Sequence, residues 1–174
     1  MQNNTPAMRK WSDLQGLAAV TIDTGTKVGT IDDFYFDPQT NAVYALLIKT
    51  GLFARRALKS DAINAIGLDA VTFANENALI KENSDSQLEK MLSGHSLLAY
   101  RVLSEGGNVI GTVGNVLLDT TKPTELHIAA FELAGGLRAH ISGHYPTFEA
   151  KQVTRYGQDV IVISDAVAQT LEQK

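Results

Sequence analysis

The chain has 174 residues, 44% apolar and 20% charged, with a net charge of −4. Those values describe a soluble globular protein, and no run of about 18 apolar residues offers a transmembrane helix. There is no cysteine, which excludes disulfides, thiolate nucleophiles and cysteine-ligated zinc.

The first ten residues, "MQNNTPAMRK", lack the apolar core of a secretory signal, so a cytoplasmic location is expected. "LAAVTI" then reads as a strand, and "DTGTK" supplies turn residues, with Gly25 free to take positive φ. "VGTIDDFYF" is a second strand, closed by Asp37 and Pro38. "AVYALLIKT" is aliphatic on both faces, as suits a strand buried on both sides. "GLFARRAL" returns as a hairpin, "SDAINAIG" forms a short helical turn headed by Ser60, and "DAVTFAN" is a closing strand. "SDSQLEKML" starts with Ser84 and has Gln87 three residues on, a capping-box pattern that predicts a short amphipathic helix carrying Leu88, Met91 and Leu92.

The second half repeats the first. Gly29 and Gly111 are 82 residues apart, as are Asp37 and Asp119. "LQG" at Leu14 matches "LSG" at Leu92, and "AINAIGLDAV" at Ala62 matches "QVTRYGQDVI" at Gln152. Three anchors in one order point to two copies of a unit, with insertions between anchors. The chain ends on "SDAVAQTLEQK", where Ser164 heads a second short helix. The segments Leu14–Asn83 and Met91–Lys174 each carry six basic and eight acidic residues. Neither half has the basic balance of a phosphate-binding domain, so nucleic acid is not the favoured partner. Short strands separated by turn signals predict an all-β fold with minor α: two tandem small antiparallel β-barrels, each followed by a short helix. The boundaries fall at residues 12–83 for the first barrel, 84–93 for a helical linker and 94–174 for the second with its C-terminal helix. A unit of roughly 70 residues is marginal alone, so the two should pack together.

On "LQGLAAVTIDTGTKVGTIDDFYFDPQTNAVYALLIKTG" with "LKSDAINAIGLDAVTF", and again on "VIGTVGNVLLD" and "YGQDVIVI", the sequence resembles the PRC-barrel family, twice over. The second copy is the looser match, with "TTKPTELH" in place of the Asp-Pro turn. The family includes the cytoplasmic part of the photosynthetic reaction centre H subunit and the C-terminal module of a ribosome maturation factor. The resemblance implies a six-stranded barrel that docks rather than catalyses.

Gly29 and Gly111 fall inside strands, where glycine marks a bulge or sharp bend, and no phosphate loop surrounds them. Asp37 and Asp119 end those strands as acceptors for turn N–H groups. These four read as structural. Asp32 and Asp33 are not shared, since the second copy has Gly114 and Asn115, and adjacent strand carboxylates point to opposite faces. His140 and His144 have zinc-like spacing, but Gly143 and Pro146 break any helix, and in a strand the pair would lie about 13 Å apart. His95 and His127 stand alone. The densest basic spot is Arg55 and Arg56, flanked by Phe53 and Lys59; Arg138, His140 and His144 occupy the longer hairpin of the second copy. Emerging on one side, the two hairpins would make an interaction rim, since Arg and aromatic groups anchor interfaces.

No serine elbow, His-Glu-x-x-His helix or dinucleotide fingerprint is present, so no catalytic residue, cofactor or metal is assigned. The expected function is a non-enzymatic docking or adaptor module for a protein complex. A ribosome-assembly accessory linked to RNA, and a small-ligand or metal module between the barrels, are the alternatives. Self-association is compatible with the sequence.

Overall fold

The computed structural model describes residues 5–135 and 145–172. The fold is all-β with minor α, built as two sheets. Strands β1 (Met8–Lys10), β2 (Ala18–Thr21), β3 (Lys27–Phe36), β4 (Val43–Lys49), β5 (Arg55–Lys59), β6 (Ile63–Ile66), β7 (Ala70–Phe73), β8 (Leu79–Ile80) and β9 (Leu92–Ser93) come from the first half. The second half supplies β10 (Arg101–Ser104), β11 (Val109–Asp119), β12 (His127–Leu133), β13 (Thr147–Glu149), β14 (Val153–Tyr156) and β15 (Val160–Ile163). One sheet runs β6-β7-β2-β3-β4-β5-β8 and the other β14-β15-β10-β11-β12-β13. Read from the same starting strand, the two orders coincide as far as β5 and β13, beyond which β8 extends the first, and we call these the first and second units.

Their irregularities coincide as well. The β2–β3 ladder skips Val28, passing from Ala19↔Gly29 to Val20↔Lys27, and β10–β11 skips Ile110 in the same way beside Gly111. A second bulge leaves out Asp32 opposite Ile48–Leu47 and Gly114 opposite Leu133–Glu132. Extra residues in one strand increase local twist and curl a sheet. The two glycines differ in necessity. A Cβ on Gly29 would lie 2.2 Å from the Lys49 carbonyl oxygen, whereas one on Gly111 would make only an ordinary 3.5 Å contact with Leu133.

Three features differ from the expected pair of antiparallel barrels with trailing helices. Each unit contains a parallel pair, β2 with β7 and β10 with β15, which local patterning cannot distinguish from antiparallel pairing. Among the described residues the ladders also stay open, with β6 and β8 at the ends of one and β14 and β13 at the ends of the other. The expected helix at 84–93 is instead a pair of 3-10 turns, Glu82–Ser84 and Leu88–Lys90, followed by β9. Asp85, not Ser84, accepts the Gln87 N–H at 2.8 Å. Tertiary contact overrides the local pattern here: Leu88 is buried against Ala45, Leu47 and Ala57, and Leu92 must be extended to pair with Phe36. Among the described residues, the helices of the α type are the one-turn α1 (Trp11–Leu14) and α2 (Asp165–Glu172), where the Ser164 hydroxyl accepts the Val167 N–H.

The units exchange their lead-in segments. Strand β1 precedes the first unit but pairs with β11 of the second, and β9 precedes the second but pairs with β3 of the first. Each exchange is fixed by the residue after a bulge. Asp33, buried, accepts the His95 N–H (2.9 Å) and the Ser93 hydroxyl (2.5 Å). Asn115, its counterpart, accepts the Ser12 N–H (3.3 Å) and donates to the Ser12 hydroxyl (2.8 Å). Between the units, Ala42 bridges His127 in antiparallel fashion, with Val43 N–H to Leu126 O and Ile128 N–H to Asn41 O on either side. The two bonds are equivalent under the 85-residue offset that relates β4 to β12, so an approximate two-fold axis passes through this bridge. One core cluster spans both units. Its aromatic spine runs Trp11–Phe34 (4.8 Å), Phe34–Phe36 (6.1 Å), Phe36–Tyr156 (5.4 Å), Tyr156–Phe131 (6.1 Å) and Phe131–Phe148 (5.4 Å).

Candidate interaction surface

The β4–β5 hairpin carries the most exposed large apolar side chains among the described residues. Its strands are held from Lys49↔Arg55 to Ala45↔Lys59, and Thr50 N–H closes the turn on Ala54 O at 2.9 Å. The turn therefore has a fixed base, while its tip projects: Leu52 is 79% and Phe53 97% exposed. Leaving a phenylalanine in water forgoes roughly 1.5–3 kcal/mol of burial, and nothing within the fold recovers it. Beside the tip lies a shallow cleft of about 220 Å³, with Asp32, Lys49 and Arg55 along its walls. The β2–β3 turn shares this end of the unit, because β3 starts where β4 finishes (Thr30↔Lys49), and Ile22 there is 54% exposed.

Of the residues expected to form the rim, Phe53 stands at the tip and the basic residues separate. Arg55, Ala57 and Lys59 point to the face covered by the Glu82–Leu88 segment, and Arg56 points to the other. Arg55 is ion-paired twice, with Asp32 (3.1 Å) and with Glu82 (3.1 Å). Partial burial works to lower its pKa, but the Asp32 hydrogen bond and the charges of Glu82 and Asp32 outweigh it, so the guanidinium stays above its ordinary value. Glu82 also accepts from the Tyr35 hydroxyl (3.4 Å), and burial followed by the Glu82 charge pushes that phenol up. Arg55 thus belongs to a closed polar cluster. Arg56 donates to the Arg55 carbonyl at 3.0 Å and borders a separate cleft with Lys27 and Glu76. Lys59 stacks its ammonium 5.5 Å from the Tyr44 ring, whose hydroxyl donates to Asp85 at 2.6 Å.

Arg138, His140 and His144 lie outside the described residues. Strands β4 and β12, which lead to the two hairpins, leave the antiparallel Ala42–His127 bridge in opposite directions. Asp37 accepts the Gln39 N–H (2.8 Å) and Asp119 the Thr121 N–H (3.0 Å). The Thr121 N–H, then its hydroxyl, hold the Asp119 carboxyl below its usual pKa, with a smaller contribution from His127 at 3.9 Å. His95 contributes its backbone N–H to Asp33. Among the described residues no group of three or more His, Asp or Glu is placed to hold a metal, and no helix is long and apolar enough to cross a membrane.

Leu52 and Glu82 do not stand out in the sequence, and Asp32 stands out there only as an unshared carboxylate. Leu52 had a signal, since two large apolar residues between Gly51 and Ala54 cannot both turn inward in so short a turn. Glu82 had none, being brought to β5 by tertiary packing alone.

The profile of the PRC-barrel domain matches residues 6–84. The chain carries a PRC-barrel domain. Such domains are generally non-catalytic and mediate protein interactions. No curated protein matches the chain significantly. The PRC-barrel match takes in β1 and α1, which pair with the second unit, and stops before β9, which completes the sheet of the first.

Proposed function

We propose that this protein is a non-enzymatic docking module made of two PRC-barrels, which engages a protein partner through the tip of the β4–β5 hairpin. The observation that carries this reading is the exposure of Leu52 and Phe53 on a braced turn. A buried aromatic anchor surrounded by polar groups is the usual centre of a protein interface, and the tip has that composition before any partner arrives. Arg55, Asp32 and Glu82 supply a pre-ordered polar margin that needs little rearrangement on binding. At this end of the unit the charges of Lys27, Lys49, Arg55 and Arg56 are matched by Asp23, Asp32, Glu76 and Glu82. That balance favours an apolar pocket on a protein over a phosphate backbone or an anionic bilayer.

The test is a crosslinking pull-down of the tagged protein from its own cells, with and without nuclease, using wild type, Leu52→Ala/Phe53→Ala and Arg55→Ala/Arg56→Ala. A defined complex should survive nuclease and be lost with the tip variant. Recovery of the same complex by the tip variant overturns the assignment. Loss on nuclease treatment points to an RNA-linked assembly instead.

A further inference from the structure

The local two-fold creates one cleft twice. In the second unit's turn, Thr120, Thr121 and Pro123 face Asn64–Ile66 of β6 across a space of about 400 Å³. In the first unit's turn, Pro38–Asn41 face Val153–Tyr156 of β14 across about 710 Å³. These are equivalent positions: Pro38 matches Thr120, and Thr154, Arg155 and Tyr156 match Asn64, Ala65 and Ile66. The smaller cleft is lined by an extended piece of the chain itself, Thr5–Ala7. The N–H of Thr120 donates to Ala7 O at 2.8 Å, and Arg9, two residues on, donates to the carbonyls of Ile66 and Gly67. Among the described residues no such segment lines the larger cleft. The residues before β9 turn away so that Leu88 reaches Ala45 and Leu47, and Leu92 replaces Arg9 opposite the bulged strand.

The larger cleft also differs in charge. Lys151 and Arg155 line it, with no carboxylate among the described lining residues, where the first unit has Asp61 and Ala65. Lys151 sits 2.9 Å from Glu149; Arg155 is exposed and has no carboxylate partner among the described residues. Gln39, Thr40 and Thr154 add further polar groups, and the Tyr156 hydroxyl is held by Asn41 at 2.7 Å. Pro38 offers no N–H, so an occupant is held here by side chains and not by the backbone bond that Thr120 makes. The cleft therefore has the dimensions of a strand site, donor-rich and net basic, on a protein of net charge −4.

We propose that the cleft between the Pro38–Asn41 turn and β14 binds an extended acidic peptide segment of a partner protein, with Arg155 and Lys151 as its charged contacts. It lies away from the hairpin tip and acts independently of it. Extended-segment recognition with charge complementarity is an established mode of peptide binding.

The test pans a display library of random dodecapeptides on the immobilised full-length chain, then measures fluorescein-labelled winners by anisotropy. Peptides rich in Asp and Glu should be enriched. Their affinity should fall about tenfold or more in Lys151→Glu/Arg155→Glu and less in Lys151→Ala/Arg155→Ala, and should be unchanged in Lys27→Glu and in Leu52→Ala/Phe53→Ala. All these side chains are outside the core, and a melting curve for each variant confirms folding. No enrichment, enrichment without acidic residues, or equal binding to the charge-reversed variant overturns the proposal. A thymidine dodecanucleotide that binds as tightly through the same two residues also overturns it, by showing that the cleft takes any polyanion.

Discussion

Asp33 and Asn115 hold the same place in the two units and do the same work with different chemistry. Each follows a bulge, each accepts through Oδ1 from its own next N–H (2.7 Å at Phe34, 3.0 Å at Val116), and each fixes the lead-in segment that crosses from the other unit. One is a buried carboxylate taking a hydroxyl and an N–H; the other is a more exposed amide exchanging two bonds with Ser12. The position requires an acceptor at Oδ1. Charge is optional, and its cost at Asp33 is offset by the short bond from Ser93.

The largest effect expected from breaking the equivalence is at the glycines beside the first bulges. Gly29→Ala forces a methyl onto the Lys49 carbonyl and should cost about 3 kcal/mol, whereas Gly111→Ala should cost under about 1 kcal/mol. Denaturant midpoints with constant m-values measure both. Asp33→Ala comes next, at about 2 kcal/mol, because the buried Phe34 N–H and the part-buried donors of Ser93 and His95 lose their acceptor. Asp33→Asn, which copies the second unit, should cost under about 1 kcal/mol by the same measurement. A cost for Asp33→Asn equal to that of Asp33→Ala would show that the charge is needed after all.

Tyr156 gives a pH test at the boundary between units. Burial raises its phenol well above the ordinary value of 10.0. In the unfolded chain it ionises at that ordinary value, so the stability it contributes is complete below pH 10 and is lost as pH rises toward the folded pKa. Tyr156→Phe should cost about 1 kcal/mol at neutral pH for the lost Asn41 bond and should flatten the alkaline fall in melting temperature. The smallest effect belongs to Leu52→Ala/Phe53→Ala, which should change stability by less than about 0.5 kcal/mol. A larger loss would mean that the tip supports the fold.

The strands and the glycine and aspartate anchors were legible in the sequence because they are local: alternation, turn residues and a repeated spacing. The exchange of lead-in segments was not. β1 and β9 are three and two residues long, too short for any periodicity, and their partners lie a whole unit away. Asp33 and Asn115 looked like a difference between the copies, since residue type hides a shared acceptor. The helix expected after Ser84 failed for a related reason, because a capping pattern says nothing of the pocket that Leu88 fills. At the candidate surface, Phe53 and Arg55 were readable as types. The pairing of Arg55 with Glu82 depends on the packing of the segment after β8, and the opposite directions of β4 and β12 depend on where the two-fold axis falls.

The paired bonds across the Ala42–His127 bridge, with lead-ins crossing in both directions, are contacts of the kind that join two subunits. Between separate chains such an association would weaken on dilution. Here a single polypeptide supplies both sides, so assembly is a first-order event with a rate and a midpoint that do not depend on protein concentration. A cut in the Asp85–Met91 connection would leave both halves gripping each other, and only dilution or denaturant would then reveal that the chain had been severed.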